Sequence, residues 1–127
     1  GFFSEKYLNV DEPTRADLTT ASLQKYKNMI DIWGGWQLFQ ELLEVLSIIS
    51  KKHNCSIANI ATRFILDKPQ VAGVIIGARL GITDHREDNS KVFDLKLDQD
   101  DISLISTITS KSNDLFNAIG DCGDEYR

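Results

Sequence analysis

The run Val71-Ala-Gly-Val-Ile-Ile-Gly-Ala78 constrains this chain more than any other stretch. It is short, rich in β-branched residues and uncharged, the pattern of a strand buried on both faces. Such a strand needs a neighbour on each side, as in a parallel sheet covered by helices. The remainder of the chain offers helices instead. Trp36, Phe39, Leu42, Leu43, Leu46 and Ile49 recur at three- and four-residue intervals, predicting a helix from Trp36 to about Lys52. Ser56 is placed to cap a second helix with a buried stripe of Ile57, Ile60, Ala61, Phe64 and Ile65, and Pro69 ends it near Leu66 or Asp67. Asp84 and Glu87 have the spacing of a capping box, so a third helix is expected to open there and run towards Val92 or Phe93. Asp98 and Asp101 mark a fourth start, continued by Ile102, Ile105 and Ile108.

The expected organisation is a long loop over 1–35 with a helical turn from Ser22 to Asp31, two helices over 36–68, a strand over 71–78, further helices over 84–111, and a tail over 112–127 that is frayed or loosely docked from Gly120 onward. The fold class is α/β, mostly helical here, with one buried strand. Either a second copy of the chain pairs with that strand, or the rest of a barrel lies elsewhere. Gly1 in place of an initiating Met adds the expectation of a processed or truncated product.

Charge narrows the partners. With 14 Lys and Arg against 19 Asp and Glu, the net charge is -5, which opposes non-specific binding to nucleic acid. Charged or amide side chains interrupt every apolar run, and the first residues lack the pattern of a signal peptide, so no membrane span is expected. Cys55 and Cys122 are far apart, and with only two histidines the chain indicates neither a disulfide framework nor a zinc site. Reduced thiols and a cytoplasmic location are the expectation.

Chemistry is expected where the strand ends. In (β/α)8 barrels a phosphate site often lies after the last two strands. Gly77, Ala78 and Arg79 occupy that place: small residues let a backbone approach an anion, and a guanidinium adds paired donors. A solvated arginine after a tight turn has the same pattern. The segment has neither the Gly-x-Gly-x-x-Gly of a dinucleotide fold nor the Gly-Lys-Ser/Thr of a triphosphatase loop.

Four segments in order nonetheless resemble the aldo-keto reductases. Val74-Ile-Ile-Gly-Ala-Arg79 and Glu87-Asp-Asn-Ser-Lys-Val-Phe93 are similar to that family's last strand, cofactor loop and last barrel helix. Gly1-Phe-Phe-Ser-Glu-Lys-Tyr7 is similar to its loop after the seventh strand, and Ser56 to Phe64 to its seventh helix. The resemblance spans Gly1 to about Lys111. It implies the carboxyl-terminal segment of a (β/α)8 (TIM) barrel that binds NADP and reduces small carbonyl substrates.

Residue by residue, the resemblance implies that Arg79 contacts the 2′-phosphate and that Asp88 and Asn89 contact the adenine. It puts His85 beside the adenosine, with Lys6 and Arg15 in a loop over the pyrophosphate. Asp88 stands where a glutamate is more usual and is one methylene shorter. The family's proton donor is a tyrosine assisted by lysine, aspartate and histidine. Tyr7, Tyr26 and Tyr126 do not match its motif, so no catalytic residue and no metal ligand is assigned in this chain, which is expected to be inactive alone. The alternative is a non-catalytic interaction protein that self-associates through its uncovered strand.

Other conspicuous residues have plainer readings. Trp36 heads an apolar stripe and is expected in the core, while the aspartates from Asp94 to Asp101 read as a capped, solvated helix start rather than a cation site. His53 suits the carboxyl end of a helix. Cys122 has no neighbouring base in the sequence to activate it.

Overall fold

The structure, a computed structural model, describes residues 1–77, Gly81 and 84–120. Among these residues every regular element is helical. Two 3-10 turns, Glu5–Tyr7 and Arg15–Asp17, precede helices α1 (Ala21–Trp33), α2 (Gly35–His53), α3 (Ile57–Leu66), α4 (Arg86–Ser90), α5 (Gln99–Thr109) and α6 (Leu115–Ile119), with a third 3-10 turn at Lys91–Phe93.

Helix α2 is the spine, and α1, α3 and α5 pack against it. All six stripe residues read from the sequence, Trp36, Phe39, Leu42, Leu43, Leu46 and Ile49, are buried. The last turn of α2 carries Lys51, Lys52 and His53, cations suited to the negative end of the helix dipole, and Asn54 closes it in the left-handed conformation at φ 52°. Ser56 caps α3 as anticipated, its Oγ accepting from the Asn59 N–H at 3.2 Å. Asp98 and Asp101, read from the sequence as a helix start, form a capping box at the head of α5.

Three expectations are overturned. The first is the loop over 1–35: the helical turn read from Ser22 to Asp31 is a full helix, α1, of 13 residues, capped by Thr20, whose Oγ1 accepts from the Leu23 N–H. Its periodicity is masked in the sequence because Lys27 occupies a core-facing position between Leu23 and Ile30. Lys27 is tolerated there because Glu12 lies 2.6 Å and Asp31 2.5 Å from its ammonium. At Gly34–Gly35 the chain turns directly into α2. Gly35 has φ +83°, which favours glycine, and a Cβ on Gly34 would lie 2.5 Å from Leu38 Cδ2.

The second correction concerns the strand. Residues 71–77 form no strand, and Ile75 is fully exposed. Inter-strand hydrogen bonds require a neighbouring backbone, and no described segment supplies one. After α3 the chain turns back through Lys68 and Gln70, the latter at φ 73°, and the Val71 N–H donates to the Lys68 carbonyl at 3.2 Å. Ala78 lies outside the described residues.

Thirdly, Asp84 makes no capping box with Glu87. Its Oδ1 accepts from the Arg86 N–H at 3.0 Å and its carboxylate pairs with the Arg86 guanidinium, so α4 begins two residues on and tightens to 3-10 by Phe93. The fraying expected from Gly120 onward falls, beyond Gly120, outside the described residues, whereas the residues before it are organised. Asn113 donates from its backbone and side chain to the carbonyls of Trp33 and Ile32, satisfying acceptors at the end of α1, and Asp114 then caps α6. The α3 stripe needs one smaller revision: Ile57 and Ile60 are buried, Ala61 and Phe64 half-buried, and Ile65 exposed.

Ile65 is exposed because it lines a groove. An apolar cavity of about 700 Å³ is walled by Phe3, Met29, Leu46, Ile65, Val74 and Ile76 among others, with Gly77 at its edge. The irregular segment 71–77 thus borders an apolar cavity instead of lying inside a sheet.

Candidate cofactor site

The turn that follows Gly77 in the sequence is built on α4. His85, which precedes its first residue, is exposed, and its carbonyl accepts from the Asn89 N–H at 2.8 Å. Asp88 and Asn89 are half-buried on the same turn. The two differ in what their side chains do. Asp88 Oδ2 accepts from Ser56 Oγ at 2.8 Å and from Asn59 Nδ2 at 3.1 Å, while its Oδ1 lies 3.4 Å from the Lys91 ammonium. No hydrogen bond ties the Asn89 side chain to another described residue.

The 1–18 segment is held to the helices by buried polar groups. Gln40 accepts from the Asn9 N–H at 2.8 Å and donates to the Tyr7 carbonyl at 2.9 Å, while Trp36 Nε1 donates to the Val10 carbonyl at 3.1 Å. Glu5 reaches α3, where its Oε1 accepts from the Ile57 N–H at 2.8 Å. Lys6 is exposed, with Nζ 5.2 Å from the Tyr7 ring centroid. Arg15 is exposed in the second 3-10 turn, beside a cavity of about 230 Å³ shared with Leu18, Gln24 and Lys27.

The described residues therefore bring His85, Asp88 and Asn89 onto one turn, with Gly77 exposed before it. Ala78 and Arg79 lie outside the described residues. No distance places Lys6 or Arg15 against that turn. Sequence reasoning missed Glu5 and Asn59 and read Ser56 as a cap alone. Asn59 carried a signal: it is a polar residue between Ile57 and Ile60 on a buried helical face, and such a residue needs partners.

The Cys55 thiol adjoins this cluster. Burial pushes its pKa up, and the nearby carboxylates of Asp88 and Glu5 add to the rise against Lys91. This favours the neutral thiol and agrees with an inert cysteine. Among the described residues no group of His, Cys, Asp and Glu side chains could hold a metal ion, and no helix is long and apolar enough to cross a membrane.

Among the described residues the arrangement is a helical shell with a short helix, α4, that follows Gly77 in sequence and presents an exposed imidazole and a half-buried amide. The sequence profile of the Aldo/keto reductase family matches residues 1–110, and the chain belongs to that family. Its members are carbonyl oxidoreductases that generally use NAD(P)H. No curated protein and no solved structure matches the chain.

Proposed function

We propose that this chain is the NADP-binding, carboxyl-terminal part of a reductase that acts on carbonyl compounds, and that it does not reduce them alone. The observation that carries the reading is the α4 turn that follows Gly77 in the sequence, where His85 and Asn89 keep open faces in a chain of this family.

Those side chains fit an adenosine. The exposed His85 imidazole is free to stack, and the unengaged Asn89 carboxamide has both donors and an acceptor for a purine edge. Asp88 fits less well, because Ser56 and Asn59 already take up one of its oxygens. Arg79 is assigned the 2′-phosphate, and Lys6 and Arg15 the pyrophosphate. When bound, the nicotinamide supplies hydride to a carbonyl carbon. A proton must then reach the carbonyl oxygen, and the described tyrosines are poorly suited to deliver it. Tyr7 is packed against Phe2 and Trp36, and Tyr26 matches no donor motif. The donor is assigned to a region of the protein outside this chain.

The groove and the unpaired 71–77 segment support the incomplete-barrel reading, since both would be covered by adjoining strands. They also favour the second reading, in which the chain associates with another copy through this segment. Sedimentation across a concentration series separates the two: dimers whose formation Ile75→Lys abolishes support association, and a monomer at all concentrations opposes it.

For the first reading, cofactor fluorescence is titrated with the chain and with any longer product of its coding sequence. The chain alone should bind NADPH more weakly than about 1 μM, because a pocket lacking part of its wall is not preorganised. Arg79→Ala should erase the preference for NADP over NAD, and an unchanged preference would remove the phosphate assignment.

A further inference from the structure

The amino terminus of α3 joins segments far apart in sequence. Ser56 Oγ accepts from the Asn59 N–H at 3.2 Å and from Asn59 Nδ2 at 2.7 Å, and donates to Asp88 Oδ2 at 2.8 Å. A hydroxyl has one proton and two lone pairs, so Ser56 is saturated. Asn59 Nδ2 spends its second proton on the same Asp88 oxygen at 3.1 Å. On the neighbouring amide of the helix, Ile57, Glu5 Oε1 accepts at 2.8 Å. The turn bearing His85 and Asn89 and the loop bearing Lys6 are thereby tied to one helix end.

Asp88 is not free to leave this arrangement. Asn59 is only 1% exposed, so turning the carboxylate towards a ligand would leave a buried amide proton without an acceptor. The departure from the family's usual glutamate has a physical sense in this setting. An aspartate spans the short gap to Ser56 and Asn59, and a longer side chain would have to fold back to reach them.

We propose that Ser56, Asn59 and Asp88, together with Glu5, form a positioning junction that fixes the 85–90 turn and the 1–18 segment to each other. Asp88 acts through the orientation of the turn, leaving Asn89 and His85 to meet the adenosine. This rests on the NADP-binding reading above.

The test uses the whole chain, with 2′,5′-ADP as the calorimetric probe and amide hydrogen exchange on the unliganded protein. Ser56→Ala and Asp88→Ala should each weaken 2′,5′-ADP binding by roughly three- to tenfold, and the double variant should be no weaker than the poorer single one, because both break one unit. Ser56→Thr, which keeps the hydroxyl, should restore binding. Thr20→Ala, an equivalent cap loss on α1, should leave affinity unchanged and so controls for general destabilisation. In the unliganded Ser56→Ala protein, exchange should accelerate in 85–93 as well as at the start of α3.

Losses that multiply in the double variant would show Asp88 touching the ligand directly and would overturn the positioning role. Unaltered exchange over 85–93 would overturn the junction itself, whatever the ligand does. If neither the parent chain nor any longer product of its coding sequence binds 2′,5′-ADP while Ser56→Ala still loosens that turn, the nucleotide reading falls and the junction stands.

Discussion

Two ion-pair clusters show how single residues set the behaviour of this chain. Lys27 has a side chain 9% exposed, whereas Glu12 and Asp31 are about half exposed. Burial works against its charge, but the bonds from Asp31 and Glu12 outweigh it and the ammonium pKa is raised. The asymmetry predicts that Lys27→Met, which leaves two hydrated carboxylates, costs about 1 kcal/mol. Glu12→Gln with Asp31→Asn, which strands the ammonium, should cost roughly 3 kcal/mol in urea unfolding. The second cluster joins α2 to α5: Lys52 pairs with Asp98 and Asp101, and His53 Nε2 is 2.7 Å from Asp101 Oδ2. Bonding by the Lys52 ammonium, then by the Asp101 N–H, brings the Asp98 carboxyl down to about 2. Burial raises Asp101, but Lys52 and His53 more than offset it, leaving its pKa lowered. Carboxyls depressed by folding stabilise fully above their unfolded value near about 3.9, and that stabilisation is lost as pH falls through the folded values. Stability measured by urea melts should therefore decline from about pH 4 towards pH 2, and Asp98→Asn should flatten that slope.

At the scale of elements, the contrast between α3 and the 71–77 segment carries the argument. Both are rich in isoleucine, yet Ile60 is fully buried and Ile75 fully exposed. Ile60→Ala should cost about 2–5 kcal/mol through lost transfer energy and a cavity. Ile75→Ala should stay within about 0.5 kcal/mol, as at an ordinary surface site. A cost at Ile75 near that at Ile60 would mean that the segment is paired in solution after all. Helices α2, α3 and α5 were legible because each declares itself locally: a stripe at helical spacing, a Ser or Asp cap, a terminating Pro69. Helix α1 was legible only as a turn from Ser22 to Asp31, since its stripe contains Lys27, whose partner Glu12 is fifteen residues earlier. Helix α6 was not legible, since its tie to α1 through Asn113 crosses most of the chain.

Across the whole molecule, the exposed surface of 8768 Å² exceeds the roughly 6,800 Å² expected of a compact monomer of this mass. The open apolar groove and the uncovered 71–77 segment contribute to that excess. A dye that reports apolar surface, such as ANS, should therefore brighten on the native chain. The near-ultraviolet dichroism of Trp36, packed among Phe2, Tyr7 and Phe39, should persist. Dye binding with loss of that dichroism would instead indicate a molten state.

Local pattern was sufficient for the α2 stripe, the caps of α3 and α5 and the acidic balance, because each depends on neighbours within a few positions or on composition. The fate of 71–77 was not decided there, for the same β-branched run is a strand beside other strands and a largely exposed, irregular segment without them. Tertiary packing also chose the direction of Asp88. The family resemblance implies a ligand contact at its position, but its carboxylate is turned towards α3 by Ser56 and by Asn59, whose buried amide requires an acceptor.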